Sequence, residues 1–422
     1  SLRCPYATIR HIIIYKNNAL RTSSALFGCT QNTGRFDMSK TPFGLVFLLW
    51  GSGLGAAAQY AKVSVVFDQL PGVYPDAGAG LGFAVSLVGF IGIMFGVVAG
   101  LLVARLRYRR GLLWALWLGA AVSALQALLP PFEWFLALRG IEGLSHLVMV
   151  VAAPTLIAQL SASQHRGFTL TLWGTFFGVA FAILTWVGLP LVAAYGVSSL
   201  FLAHAVYMAV FAVILTFALA DIPSLEAVTT ISVKSIAKDH IAIYRSPRIS
   251  AAALGWLFYT FCFVSVLTVL PPFLDPSQRA MVMGAMPLAS IASSMTFGVW
   301  ALRRMSAVSL VMLGFCFSAA CMMWLWVGPA NVTACIALAA ALGLIQGGSF
   351  AVVPQLNKTA VTQAQANGAM AQMGNLGNTL GTPVMVSALA VFGYNALPMF
   401  VGLALVLGLL AHLVAQVLRH KS

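Results

Sequence analysis

The second half of this chain repeats the first half at a nearly constant spacing. Four short segments recur in the same order, at offsets of 200, 198, 204 and 201 residues. The repeated pairs are Leu70-Pro71 with Leu270-Pro271, Gly100-Leu-Leu-Val-Ala104-Arg105 with Gly298-Val-Trp-Ala-Leu302-Arg303, Glu142-Gly143 with Gln346-Gly347, and Gln164-His165-Arg166-Gly167 with Gln365-Ala366-Asn367-Gly368. The chain is therefore expected to fold as two similar halves.

The composition predicts that both halves lie in a bilayer. Hydrophobic residues make up 60% of the chain and charged residues 8%, with a mean hydropathy of +0.94. Since about 20 apolar residues span a bilayer, 422 residues leave room for about a dozen helices. Strands are a poorer prediction, because runs such as 200–219 do not alternate apolar and polar residues. We predict an all-α integral membrane protein with two pseudo-symmetric six-helix halves, an arrangement common among secondary transporters.

The apolar segments define the predicted spans and domains. The spans are 42–67, 81–104, 111–129, 132–159, 167–190, 198–219, 251–270, 280–301, 307–327, 332–354, 367–391 and 396–418. The domains are a leader at 1–41, an N-terminal half at 42–219, a central linker at 220–250, a C-terminal half at 251–418 and a tail at 419–422. The linker would let the halves move as rigid bodies. Its 232–245 segment fits either an amphipathic surface helix or a solvated connection.

The basic residues predict the orientation. With the N-terminus inside, the inner loops contain fourteen basic residues, and an outer loop contains only Arg279. Positive charge is retained on the cytoplasmic side, so both termini and the linker are expected to be cytoplasmic. We expect a plasma-membrane protein, in the inner membrane of a bacterium. The net charge of +14 is explained by topology and anionic headgroups, with no nucleic-acid partner.

The leader and the cysteines carry less information. Met38 stands directly before the first span, so residues 1–37 are interpreted either as sequence upstream of the native start or as a targeting peptide. The first interpretation predicts that deleting them leaves uptake unchanged. The six cysteines have neither metal-ligand spacing nor a disulfide pattern, so no metal or cofactor is expected.

Several short motifs resemble those of the major facilitator superfamily across residues 42–418. The signature between spans 2 and 3 of that family is similar to Gly100-Leu-Leu-Val-Ala104-Arg105-Leu-Arg107-Tyr-Arg109-Arg110, although Ala104 replaces the usual acid. Its span 4 motif, Arg-x-x-Gln-Gly, is similar to Arg139-Gly-Ile-Glu142-Gly143. The resemblance implies a gating loop that contains Gly100, Arg105, Arg109 and Arg110. The Gly-Pro end of the drug-antiporter motif is missing from span 5, which argues against a drug/proton antiporter of the usual kind.

Span 4 contains the strongest candidate site. Arg139, Glu142 and His146 follow helical spacing and share one face. Ionisable groups are costly inside a membrane, so a cation, an anion and an imidazole on one face predict a site for an anionic group that responds to protons. A structural bridge between Arg139 and Glu142, with His146 bonded to a backbone carbonyl, is the alternative. We expect Arg139 to be the main substrate-facing cation.

Span 1 presents a second polar face, with Gln59 and Lys62 at helical spacing. Lys62 is expected in the outer third of the span, where it would either attract an anionic substrate or extend to the headgroups. Asp68 is interpreted as a solvated residue at the end of the span.

The second half replaces the charges of span 4 with uncharged polar groups. Gln346 stands in the place of Glu142, and span 11 offers Asn375 and Asn378 in a glycine-rich helix. Glycines allow close helix packing, and the amides could hydrogen-bond a substrate. His204 and His412 are interpreted as structural or interfacial.

These observations predict a secondary transporter of the major facilitator type that moves a small organic solute by alternating access. An anionic or zwitterionic solute is favoured, with protons as a candidate coupling ion and a monomer as the expected state. No Gly-x-x-x-x-Gly-Lys-Ser/Thr loop occurs, which argues against direct ATP drive. An efflux carrier for hydrophobic compounds is the alternative, followed by a membrane sensor or an intramembrane enzyme. We do not expect an enzyme.

Overall fold

The computed structural model describes residues 40–96, 107–162, 164–220 and 240–421. These residues form helices joined by short turns. Eleven of the described helices are long and apolar enough to cross a membrane. The protein is therefore a multi-pass, all-helical membrane protein.

The N-terminal half contains six helices, α1 to α6. Their bounds are Phe43–Ser64 for α1, Pro75–Gly96 for α2, Tyr108–Gln126 for α3, Phe132–Leu160 for α4, Phe176–Tyr195 for α5 and Val197–Ala218 for α6. A short helix, Arg166–Gly174, precedes α5.

The C-terminal half contains six more helices, α7 to α12. Their bounds are Ala251–Val269 for α7, Pro276–Ala301 for α8, Ala307–Val327 for α9, Val332–Leu356 for α10, Ala360–Phe392 for α11 and Gly402–Lys421 for α12. We call the end of the bundle where α1 begins and α12 ends the terminal face, and the other end the far face.

The predicted spans match this helix order, with two differences. The sequence predicts about a dozen spans, and eleven of the described helices meet the length and hydropathy of a span. The twelfth long helix, α3, does not meet them, because Arg109 and Arg110 in its first turn lower its mean hydropathy. Some ends are also displaced. α11 begins at Ala360, earlier than predicted, because Thr359 and Thr362 form a capping box that starts the helix outside its apolar part.

Two interfaces related by the repeat join the halves. α2 packs on α11, and α8, the repeat counterpart of α2, packs on α5. Within the halves, α3 packs on α4 and α6, and α7 packs on α11. Each half therefore contributes the same two elements to the contact with the other.

Glycines allow the backbones of α2 and α11 to approach closely. A Cβ at Gly82 would lie 2.6 Å from the Cα of Pro383, and one at Gly96 would lie 2.9 Å from the Cα of Gln372. The Gln372 amide also donates to the Ile93 carbonyl at 2.7 Å. Only glycine fits at these positions without moving the two helices apart.

Polar contacts also join the halves toward the far face. The Thr268 hydroxyl donates to Ser64 Oγ at 2.9 Å, and Trp186 Nε1 donates to the Ala280 carbonyl at 3.0 Å. Arg279 forms an ion pair with Asp68 at 3.4 Å, with both side chains about one-third exposed. Asp68 is exposed just beyond the end of α1, as predicted for a solvated end residue, and it also pairs with a cation from the other half.

Candidate functional site

A cluster of charged side chains lies inside the N-terminal half, between α1, α3, α4 and α6. Lys62, Arg139 and Glu142 each have an exposed fraction of 0%. They are the only Lys, Arg, Asp or Glu side chains classed as buried in the part of the chain that the structure describes. We call these three residues, together with Ser123, Gln126 and His204, the buried charge cluster.

The Glu142 carboxylate is the centre of this cluster. Lys62 Nζ donates to Oε1 at 2.6 Å, and Gln126 Nε2 donates to Oε2 at 2.9 Å. Arg139, one turn earlier on α4, donates from Nη1 to Oε2. A single carboxylate therefore holds two cations, and Coulomb attraction inside the low-dielectric bundle favours all three charged forms together.

Lys62 has a full set of partners. In addition to Glu142, its ammonium lies 2.6 Å from Ser123 Oγ and 3.3 Å from His204 Nδ1. His204 Nε2 lies 2.9 Å from the Gly55 carbonyl, which only accepts, so the ring proton sits on Nε2 and Nδ1 is an acceptor. His204 is thus held as the neutral tautomer. Lys62 does not extend to the headgroups, because its ammonium is buried against Glu142.

Arg139 is fixed on three sides. Its Nε donates to the Ala84 carbonyl at 2.5 Å, and its Nη2 donates to the Val85 carbonyl at 3.2 Å. Both carbonyls belong to α2, so the guanidinium ties α4 to the helix that packs on α11. A substrate would have to compete with these carbonyls or with Glu142 for the same N–H groups.

His146 and Gln59 lie beside the cluster, toward the middle of the bundle. His146 Nδ1 lies 3.0 Å from the Ala56 carbonyl and donates to it, as in the structural alternative for this residue. Gln59 Nε2 donates to Ser145 Oγ at 2.9 Å. The Tyr60 ring packs edge-on against His146 with a centroid distance of 5.1 Å.

The predicted polar residues of the second half lie along the contact between the halves. Gln346 Nε2 reaches the Gly174 carbonyl of the N-terminal half at 3.4 Å. Asn375 Nδ2 bonds within its own helix, to the Ala371 carbonyl at 2.8 Å. Asn378 Oδ1 and the Tyr60 hydroxyl are both buried, and the two side chains lie close together across the contact between the halves.

A row of aromatic rings crosses from one half to the other. Tyr60 packs on Phe177 at 5.9 Å, Phe177 on Phe263 at 6.4 Å, and Phe263 on Tyr259 at 5.6 Å between ring centroids. Trp256 extends the row, 4.7 Å from Tyr259. This central aromatic row joins α1 and α5 of the N-terminal half to α7 of the C-terminal half.

The predicted gating loop is only partly described. Gly100 and Arg105 lie outside the described residues. Arg109 donates to the Thr216 carbonyl at 3.1 Å and to the Ala220 carbonyl at 3.3 Å, so it binds the carboxyl end of α6 in its own half. Arg110 is exposed. Within the described ranges, no group of three or more His, Cys, Asp or Glu side chains could hold a metal ion.

Reasoning from the sequence missed three members of the cluster. Ser123 and Gln126 are one turn apart on the apolar helix α3, and His204 is a lone imidazole in the apolar helix α6. Paired polar residues in such helices are the signal that indicates an interior-facing position. Tyr60 gave no such signal, because only the packing of the two halves shows that its hydroxyl lies near Asn378.

Comparison with known proteins identifies the fold. The solved structures that resemble this chain include the E. coli fucose:proton symporter FucP, with a TM-score of 0.63 and 16% identity over 89% of this chain and 99% of that chain. A second FucP structure, in the outward conformation, gives a TM-score of 0.63 and 16% identity over 88% of this chain and 98% of that chain. No curated protein matches the chain.

The sequence comparison identifies the family. The profile of the Major Facilitator Superfamily matches residues 45–382, which is most of both halves. The members of this family are membrane transporters and not enzymes. Together with the two six-helix halves, the match shows that this chain belongs to the Major Facilitator Superfamily and is a secondary transporter.

Proposed function

We propose that this transporter moves a small anionic or zwitterionic organic solute by alternating access. The observation that carries the proposal is the charge of the buried cluster, where two cations face one carboxylate. Glu142 is the only buried acid among the described residues, so the cluster has one surplus positive charge. A buried surplus charge is costly, and a substrate carboxylate would neutralise it.

The proposed route for the carboxylate goes through Glu142. A proton on Glu142 would remove its charge and leave Lys62 and Arg139 without an anion. A substrate carboxylate would then be favoured at the freed N–H groups, and Arg139 offers a planar fork that suits it. Proton and substrate would bind together, which is symport. FucP is named a fucose:proton symporter, and we propose proton coupling for this chain as well.

The proposed motion separates the halves at their paired interfaces. Rocking would open α1–α7 and α5–α8 toward the far face, or α2–α11 toward the terminal face. Gln346, Asn375 and Asn378 would form the wall opposite the charge cluster. A passage through the contact between the halves would also expose the Tyr60 hydroxyl and the Asn378 side chain to the solute.

We propose that the protein lies in the plasma membrane, as the inner membrane of a bacterium, with both termini and the linker in the cytoplasm. The fourteen-to-one distribution of basic residues supports it. Cysteine at Ser306, in the exposed α8–α9 turn, should react with an impermeant thiol reagent only in inverted vesicles. Reaction in intact cells would contradict this orientation.

Arg139 tests the proposal. Because Lys62 also binds Glu142, Arg139→Met leaves a neutral Lys62–Glu142 pair and should fold. Uptake of the carboxylate solute into proteoliposomes should nevertheless be lost, and Arg139→Lys should be impaired because an ammonium lacks the fork. Arg304→Met, an exposed arginine in the α8–α9 turn, is the matched control. Wild-type uptake by folded Arg139→Met would exclude a role for Arg139 in transport.

A carrier for hydrophobic compounds is the second candidate, and the central aromatic row favours it. Aromatic side chains that line the contact between the halves would hold an apolar solute by stacking and burial. Phe263→Ala should then impair transport more than Arg139→Met. The reverse order would favour the anionic solute.

A further inference from the structure

A groove on the outer surface of the C-terminal half has no assigned occupant. It lies where α7, α12 and the helical residues 240–245 meet, and its volume is about 350 Å³. Apolar side chains form most of its lining. They are Leu254, Phe258, Leu407, Leu410, Val414 and Leu418. The leucines and the valine on α12 are between 41% and 57% exposed, so the groove opens toward the bilayer.

The groove is about as long as the hydrocarbon region of one leaflet is thick. From Leu407 to Leu418, at 1.5 Å per residue, α12 rises by about 16 Å. The hydrocarbon core of a bilayer is about 30 Å thick, so this length is about half of it. One end of the groove therefore lies near the middle of the membrane, and the other lies at the terminal face.

Arginines surround the end at the terminal face. Arg245 lines the groove and is exposed. Arg419 donates from Nη1 to the Pro247 carbonyl at 3.2 Å, which holds its guanidinium beside the groove. Arg248 lies close enough to Arg419 for the two charges to repel. Between residues 240 and 422 the only acidic residue is Asp275, directly before α8 at the far face.

We propose that this groove binds an anionic phospholipid, with one acyl chain along α12 and the headgroup phosphate between Arg245 and Arg419. The arginines favour a negatively charged headgroup, since each contributes to attraction at an anionic membrane surface. The apolar lining distinguishes the ligand from a free phosphate, which would leave the groove unfilled. This site is separate from the buried charge cluster and does not depend on the proposed substrate.

Native mass spectrometry of the full delipidated chain tests the proposal. Phosphatidylglycerol should bind more tightly than phosphatidylcholine with the same acyl chains. Arg245→Gln/Arg419→Gln should weaken phosphatidylglycerol binding by roughly fivefold for each arginine removed and leave phosphatidylcholine unchanged. The matched control is Arg303→Gln/Arg304→Gln, which removes two exposed arginines from the same face, outside the groove. Equal binding of the two lipids, or equal losses in test and control variants, would overturn the proposal.

A second pair of variants tests the acyl chain. Ala411→Trp should fill the groove and reduce the binding of phosphatidylglycerol, whereas Leu403→Trp, on an exposed part of the same helix, should not. Glycerol phosphate, added as the free headgroup, should not compete at lipid concentrations. Effective competition would identify a phosphate site and overturn the lipid assignment. If Ala411→Trp does not fold, the surface arginine variants still decide the question.

Discussion

The two halves share one architecture but differ in where they keep charge. The N-terminal half buries two cations and a carboxylate on α1 and α4. The C-terminal half has no acidic residue after Asp275, and Gln346 stands where the repeat would place the counterpart of Glu142. Since the C-terminal half has the same architecture without buried charges among its described residues, the architecture alone does not explain the charges of the N-terminal half. Their role in binding or coupling stays a proposal.

Glu142 binds two cations, and this changes the expected effect of replacing either cation. In the structural alternative drawn from the sequence, Arg139 is the sole partner of Glu142, and removal of Arg139 would leave Glu142 unpaired. In the structure Lys62 binds the other carboxylate oxygen, so either cation can be removed and a neutral pair remains. Glu142 is the one member whose loss leaves two buried cations without an anion.

The largest expected effect therefore comes from Glu142→Gln. Breaking a buried ion pair by removing one partner costs about 3–5 kcal/mol, and here one substitution strands two cations. The free energy of unfolding in detergent should fall by that amount, while Lys62→Met and Arg139→Met should lose clearly less.

The matched variant in the other half is Gln346→Leu. Its free energy of unfolding should lie within about 1 kcal/mol of the wild-type value. The hydrogen bonds of Gln346 are long and its partners are uncharged, so little is lost with them. The triple variant Lys62→Met/Arg139→Met/Glu142→Gln should regain stability relative to Glu142→Gln. Equal losses in Glu142→Gln and Gln346→Leu would contradict the contrast between the halves.

The next largest loss of stability is expected from a substitution at the contact between the halves. A Cβ at Gly89 would lie 2.6 Å from the Tyr60 hydroxyl and 2.9 Å from the Asn375 carbonyl oxygen. Gly89→Ala should therefore force α2 away from α11, at a cost of about 1–3 kcal/mol. Gly140→Ala, on α4 with nothing within 4 Å of the new Cβ, should be neutral or slightly stabilising. Thermal unfolding of both variants makes the comparison, and equal melting temperatures would mean that this contact is not tight.

The sequence predicted local features well and distant contacts poorly. Apolar length located the helices, and the i, i+3 spacing on α4 placed Arg139 and Glu142 on one face, where they pair as in the structural alternative. Lys62 lies 80 residues from Glu142, and Asp68 lies 211 residues from Arg279. No periodicity within one helix reports such pairs, because they depend on how helices are placed around each other. The roles of the candidate residues in transport stay predictions.

The smallest effect is expected at the ion pair between Asp68 and Arg279, which joins the halves near the far face. Both side chains are about one-third exposed and their atoms are 3.4 Å apart, so water and salt screen the attraction. Asp68→Asn and Arg279→Gln should each change the free energy of unfolding by less than about 1 kcal/mol. A double-mutant cycle isolates the pair, and a coupling energy that disappears at high salt would identify it as a surface pair. The effect on transport can be larger than the effect on stability, since opening the far face must break this contact whereas unfolding breaks every contact. A cysteine pair at these positions should block uptake when cross-linked and restore it on reduction, and undiminished uptake in the cross-linked protein would show that the far face does not open here.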